Sequence, residues 1–348
     1  MSAQSPVLFA GLDVSLAETH VCVLDGDGAR AFEAVVASEP GAIAEALAEG
    51  APGCTSIAIE TGATMPWLRR ELRARGAPVT CIDTRHANRA LSMRRTGTDR
   101  NDARGLAELM RIGRYEEARV RDLDARHIRS MLSARYRLRM CRRGLLNQLR
   151  GIVKTSGLHT SSTASRRFPE IVHEIAAEDP KAATMLMPLV NAFDAIRGEI
   201  AACETELRGI ARGSDAARRL MTVPGVGYLA SLALISAIDD PTRFSSSAKV
   251  GPCLGLTPRV RQAGEADWSA GIGPAPDRLM RSYPYEAANI GPTRTTRWPR
   301  LKAWGVRLHK RAGFKRAAIG VARKLAAIMH AIRVDGTEFV HGAEPAAR

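Results

Sequence analysis

Closely spaced apolar runs at the start of the chain constrain the fold most. VLFAGLDVS (7 to 15), THVCVLDG (19 to 26) and RAFEAVVAS (30 to 38) read as three short strands, the last two joined by a turn at Asp25-Gly26-Asp27-Gly28. After Pro40 the period changes. A helical GAIAEALAEG is followed by strand TSIAIE (55 to 60), helix MPWLRRELRARG (65 to 76), strand PVTCID (78 to 83) and helical patterns through 85 to 113. The order βββαβαβα predicts a mixed sheet covered by helices, an α/β unit.

Four carboxylates stand out against that frame. Asp13 lies on the first strand and Glu60 ends the fourth, so both occupy one sheet edge if those strands are neighbours, as in ribonuclease H-like folds. In TGTDRNDA (96 to 103), Asp99 and Asp102 are three apart and share one helical face. Carboxylates gathered in this way raise one another's pKa unless a cation neutralises them, which points to a divalent metal, Mg²⁺ or Mn²⁺. Two such ions about 3.5 to 4 Å apart activate a nucleophile and stabilise the leaving oxygen of a phosphodiester. Taken singly, each acid has a plainer role. Asp13 suits a turn, Glu60 a helix start, and Asp99 or Asp102 an N-cap.

The net charge of +15 is unevenly spread. Residues 1 to 84 hold 5 Lys and Arg against 11 Asp and Glu, residues 85 to 150 hold 18 Arg against 7 acids, and residues 291 to 333 hold 12 Lys and Arg with no acid. Single-sign blocks of this kind attract polyanions through counterion release, so nucleic acid is the leading partner and a merely solubilising surface the alternative. Arg94, Arg95, Arg100 and Arg104 surround the Asp99–Asp102 pair and are candidates for holding a phosphate backbone. Six scattered cysteines without a C-x-x-C pair argue against zinc and disulfides. No signal-peptide pattern or apolar span is evident, so a cytoplasmic protein without membrane attachment is expected.

From about 117 to 213 long helices are expected. Leu186, Leu189, Phe193, Ile196, Ile200, Cys203, Leu207 and Ile210 follow steps of 3 and 4 in alternation, a heptad seam that predicts a coiled coil and favours a homo-oligomer over packing inside the monomer. Near Ala217 begins ARRLMTVPGVGYLASLALISAI, a helix-hairpin-helix-like pattern in which Gly225 and Gly227 would bring backbone N–H groups to a phosphate; ordinary helix packing is the competing reading. The expected domains are 1–116, 117–213 and 214–336, the last mostly helical, with a tail at 337–348.

GLDVSLAETHVCVLDGDG, IAIETGATMPWLRREL and RTGTDRNDARGLAELMR resemble the three acidic blocks of the DEDD-type insertion-sequence transposases, bridge-RNA-guided DNA recombinases with a RuvC-like N-terminal domain and a C-terminal transposase domain. LMTVPGVGYLASLALISAIDDPTRFSSSAKVGPCLGLTPR, DRLMRSYPYEAAN, VARKLAAIMH and VDGTEF resemble the C-terminal half. The resemblance implies that Asp13, Glu60, Asp99 and Asp102 form a catalytic metal tetrad, that DNA (element ends and target) and a noncoding guide RNA are the partners, and that the middle helices contact RNA and dimerise. It also implies a serine nucleophile after Gly255-Leu256-Thr257-Pro258, where this chain has Ala263. Alanine has no nucleophilic group. Ser269 lies six residues on, and the role does not transfer to it by sequence. Pro274, Pro276, Pro284, Gly291, Pro292 and Pro299 depart from the family's helices. An interior helix proline costs about 3 kcal/mol. A catalytically impaired copy is therefore the alternative to an active transposase.

Overall fold

The computed structural model describes residues 7–54, 56–83, 99–118, 120–157, 167–263, 266–272, 278–294 and 299–340. The chain divides into two compact units, one ending at Val120 and the other beginning at Arg121.

The first unit is a five-stranded mixed sheet in the order β3-β2-β1-β4-β5, made of β1 (Phe9–Val14), β2 (Glu18–Leu24), β3 (Arg30–Ala37), β4 (Ser56–Glu60) and β5 (Val79–Ile82). The meander β1-β2-β3 is antiparallel, whereas β4 and β5 run parallel to β1. The parallel strands arrive by crossovers through α1 (Pro40–Gly50) and α2 (Met65–Ala74), as such connections require. Alternation sorts the side chains by face. Ala10 and Leu12 join Ile57, Ile59, Val79 and Cys81 in a core with Ile43, Leu47, Leu68 and Leu72. On the opposite face Ala58 and Ile82 pack with Leu106, Leu109 and Met110 of α3 (Asp99–Arg111). That helix lies almost on the backbone of β1. A Cβ at Gly11 would stand 2.1 Å from the Ala103 carbonyl oxygen and 2.5 Å from the Ala107 nitrogen, so glycine is what permits the contact.

The second unit is almost wholly helical. Its long helices α4 (Leu123–Thr155) and α6 (Pro180–Gly213) pack together, joined by α5 (Phe168–Glu178). Both starts are capped by aspartate: Asp122 accepts from the Ala125 N–H at 2.6 Å and Asp179 from the Lys181 N–H at 2.8 Å. Ile128 and Leu132 cluster with Leu207 and Ala211, while Leu149 and Val153 cluster with Leu186 and Val190, so the two helices run antiparallel. The heptad residues Leu186, Phe193, Ile200 and Leu207 are buried within the chain, and Leu189, Ile196, Cys203 and Ile210 are half-buried.

α7 (Asp215–Met221) leads through a turn into α8 (Tyr228–Ile238), which is apolar all round and buried accordingly. Gly225 supplies the turn with φ +84°, a conformation side chains rarely adopt. After the single-turn α9 (Val250–Cys253) comes a two-stranded hairpin of β6 (Pro258–Ala263) and β7 (Ala266–Ile272), which the largely helical expectation for this region omitted. α10 (Arg278–Arg294), α11 (Pro299–Ala312) and α12 (Phe314–Asp335) complete the unit. Helix α10 continues through Pro284 and Pro292 rather than breaking, because Met280, Tyr283, Ala287 and Ala288 are held in the core. Pro299 opens α11, where a missing N–H costs nothing; Pro274 and Pro276 lie outside the described residues. Buried His330 ties α12 to the loop after α8. Its Nε2 donates to the Pro241 carbonyl at 2.9 Å, leaving Nδ1 to accept the Ser247 hydroxyl at 2.9 Å.

Among the described residues no helix is long and apolar enough to cross a membrane.

Candidate active site

The sheet brings Asp13 and Glu60 side by side. Leu12 pairs with Ile59 across the parallel β1–β4 ladder, so the next residue on each strand, Asp13 and Glu60, falls on neighbouring strands about 4.8 Å apart. Period 2 puts Asp13 on the face of Gly11 and Glu60 on the face of Ala58, the side covered by α3. The same helix begins with Asp99 and Asp102. Ala103, Leu106 and Met110 dock its face on the sheet, and the two aspartates prolong that face toward the end of β1. Carboxylates in a first helical turn also meet the positive end of the helix dipole.

Asp13 shows the consequence. Its carboxyl is pushed up from 3.8 to about 6, first by burial and then by repulsion from Asp99, Asp102 and Glu60; His20 opposes the shift. All three other acids therefore act on Asp13. Among the described residues, however, no three acidic, histidine or cysteine side chains close around a single point as metal ligands do. The arrangement is a set of mutually repelling carboxylates at one edge, without a formed coordination sphere. Sequence patterning overlooked His20, which is the cross-strand partner of Asp13 on β2 and places Nε2 4.0 Å from an Asp99 oxygen. Its place opposite Asp13 in the hairpin register was the available signal.

The nearby arginines differ from one another. Arg100 is turned to Glu33 of β3 in an exposed ion pair, and its hydrogen bond holds the Glu33 carboxyl below the ordinary range. Arg104 is exposed on α3. Arg94 and Arg95 lie outside the described residues. In the second unit Gly225 forms the turn and Gly227 stands as the extended N-cap of α8, with Val226 buried between them. Ala263 is the last residue of β6 and pairs with Ala266, while Ser269 on β7 pairs with Val260.

Sequence comparison agrees with this layout. A family model described as a transposase, of the DEDD type found in IS110, matches residues 10–156, and one described as a transposase of the IS116/IS110/IS902 family matches residues 217–303. The first match contains the sheet, α3 and all four carboxylates. Among similar proteins, the transposase for insertion sequence element IS1111A of Coxiella burnetii is 26% identical over 80% of this chain and 77% of its own length. A putative transposase, y4pF/y4sB, of Sinorhizobium fredii is 26% identical over 82% of this chain and 74% of its own. A probable family 20 transposase of Pseudomonas aeruginosa is 23% identical over 66% of this chain and 69% of its own. The fold and its acidic edge, taken with these matches, define a transposase. More narrowly, the chain belongs to the IS116/IS110/IS902 family, as the two models together span well over half of it.

Proposed function

We propose that this transposase acts on DNA phosphodiesters through Asp13, Glu60, Asp99 and Asp102 as a divalent-metal tetrad. The observation that carries the reading is the carboxyl of Asp13, raised to about 6 by its own burial and by the three other acids. Like charges are gathered at a sheet edge at a cost that a cation would remove. Hard carboxylate oxygens are the donors that Mg²⁺ and Mn²⁺ take, and the bound ions would polarise the scissile phosphate and generate the attacking oxygen. The residues themselves have separable tasks. Asp13 and Glu60, on strands, fix the spacing of the ligands; Asp99 and Asp102 bring the helix dipole with them. Arg94, Arg95, Arg100 and Arg104 would hold the DNA or the guide RNA, Arg100 by exchanging Glu33 for a phosphate. Gly225 and Gly227 would offer backbone N–H groups to a second phosphate. Self-association would use the half-buried Leu189, Ile196, Cys203 and Ile210.

The test is strand exchange between element ends and target, with the RNA transcribed beside the gene and Mg²⁺. Single changes Asp13→Asn, Glu60→Gln, Asp99→Asn and Asp102→Asn should each lower the rate by at least about a hundredfold. Retention of the full rate by any one of them would remove that residue from the tetrad.

Ala263 favours a second reading, a nucleic-acid-binding transposase that no longer joins strands. This predicts no serine-linked DNA adduct in the natural chain and a gain of adduct in Ala263→Ser. An adduct in the natural chain would rule the second reading out and direct attention to Ser269.

A further inference from the structure

The interior of the α4–α6 hairpin changes character along its length. Apolar clusters close both ends, yet between Leu132 and Leu146 the seam positions of α4, at steps of 3, 4 and 3, are Arg135, Arg139 and Arg142. A helical hairpin would ordinarily carry leucine or alanine there. The helices surround a cavity of about 340 Å³ at this level, walled by the three arginines with Arg197, Ile200 and Glu204.

Four arginines line this pocket with Glu204, and that carboxylate is already engaged. Glu204 accepts from Arg135 Nε at 2.8 Å and from Arg208 at 3.2 Å. Arg197 pairs with Asp194 at 3.1 Å and with Glu170 at 3.8 Å. Arg139 and Arg142, both half-buried, meet no carboxylate among the described residues. Guanidinium groups do not relieve such crowding by losing a proton, since they stay charged throughout the working pH range. Apolar replacements of buried ions are commonly neutral or stabilising, so arginines in a seam are not explained by stability alone. An anion with several oxygens would complement Arg139 and Arg142.

We propose that this cavity seats one phosphate of a nucleic-acid strand, with the Arg139 and Arg142 forks on its non-bridging oxygens and Arg135, fixed by Glu204, forming the back wall. A phosphodiester suits two adjacent forks, and partial exposure of Arg139 and Arg142 lets a strand pass over the hairpin with a single phosphate entering. The inference rests on the nucleic-acid reading above but not on the carboxylate tetrad.

The experiment uses the full chain with chelator and no divalent metal, so that tetrad chemistry plays no part. Fluorescence anisotropy would follow binding of a labelled single-stranded RNA, and of DNA of the same sequence, across a salt series. Arg139→Gln/Arg142→Gln should weaken binding by about tenfold and lower the slope of log K against log salt by about 0.7, one phosphate contact. Arg137→Gln/Arg143→Gln, on exposed positions of the same helix, should change affinity by less than about threefold. Whichever strand shows the difference is the source of the phosphate. Equal weakening in the two double variants, or none in either, would overturn the seat. Inorganic phosphate that raises the melting temperature of the natural chain but not of Arg139→Gln/Arg142→Gln, with strand affinity equal in both, would make it a free-phosphate site and overturn the strand assignment. Arg139→Leu/Arg142→Leu guards against misfolding: a higher melting temperature with weaker binding is expected, whereas a lower one would make the arginines structural and sink the proposal.

Discussion

Two regions of this molecule crowd like charges, and they answer the crowding differently. At the edge of the sheet Asp13 sits among Asp99, Asp102 and Glu60 and shifts toward its neutral form, with a pKa of about 6. Along the helical hairpin Arg135, Arg139, Arg142 and Arg197 line one pocket with Glu204 and stay charged at every working pH. A carboxylate cluster has an internal remedy, a proton, and so becomes sensitive to pH and to competing cations. A guanidinium cluster has none, so it depends on counterions and becomes sensitive to salt. The first region is built on a sheet in contact with a helix, the second on two packed helices.

The sharpest way to break the first region is Gly11→Ala. Its Cβ would press into the Ala103 carbonyl and the Ala107 nitrogen, backbone atoms that move only if α3 moves. A loss of about 3 kcal/mol is expected by urea titration, together with a lowering of the raised Asp13 pKa as α3 carries Asp99 and Asp102 away. Nearly unchanged stability would mean that α3 is held less closely to β1 than the geometry implies.

The second region yields to Glu204→Gln. Arg135 is 7% exposed, and without the carboxylate its charge is left in the seam. Breaking one side of such a pair costs about 3 kcal/mol, whereas Arg135→Leu/Glu204→Leu should be neutral or stabilising. Thermal melts of the two variants decide it. If both fell equally, the pair would be a net source of stability.

Much of the first unit was legible because its signals are periodic. Alternation marked β1 to β5, and the adjacency of Asp13 and Glu60 follows once β1 and β4 are neighbours. The hairpin was legible only in half of its seam. Leu186, Phe193, Ile200 and Leu207 belong to the pattern that apolar spacing reveals, but the structure continues it through Val190, Arg197, Glu204 and Ala211 as well as the expected flank. Apolar periodicity does not register charged residues in a seam, so Glu204 looked like surface. The β6–β7 hairpin escaped notice because PRVRQA and ADWSAGI lack a sustained apolar face, and His20 because its importance depends on strand register.

Asp13→Asn distinguishes the proton-based remedy from the counterion-based one. Between pH 3.8 and about 6 the folded chain retains a proton that the unfolded chain has released, so stability should fall as pH rises through this window and remain at the lower level above it. Removing the charge should therefore stabilise the protein at pH 7 by roughly 1 kcal/mol, allowing for partial exposure, and flatten that part of the profile. Melting temperatures at pH 4 and pH 7 give the comparison. A natural chain equally stable at both, once other groups are matched by the variant, would show that Asp13 is not crowded.

Arg100→Gln should have the smallest effect, and its smallness is informative. The Arg100–Glu33 pair is largely exposed on the arginine side, at 60%, so solvent screens it and its loss should leave stability nearly unchanged. Glu33 keeps Arg30 at 2.6 Å as a second partner, which limits the loss further. Nucleic-acid affinity should nevertheless fall, because a weak surface pair is readily exchanged for phosphate. A clear drop in melting temperature would instead make Arg100 a structural clasp between α3 and β3, fixed in place and unavailable to a strand.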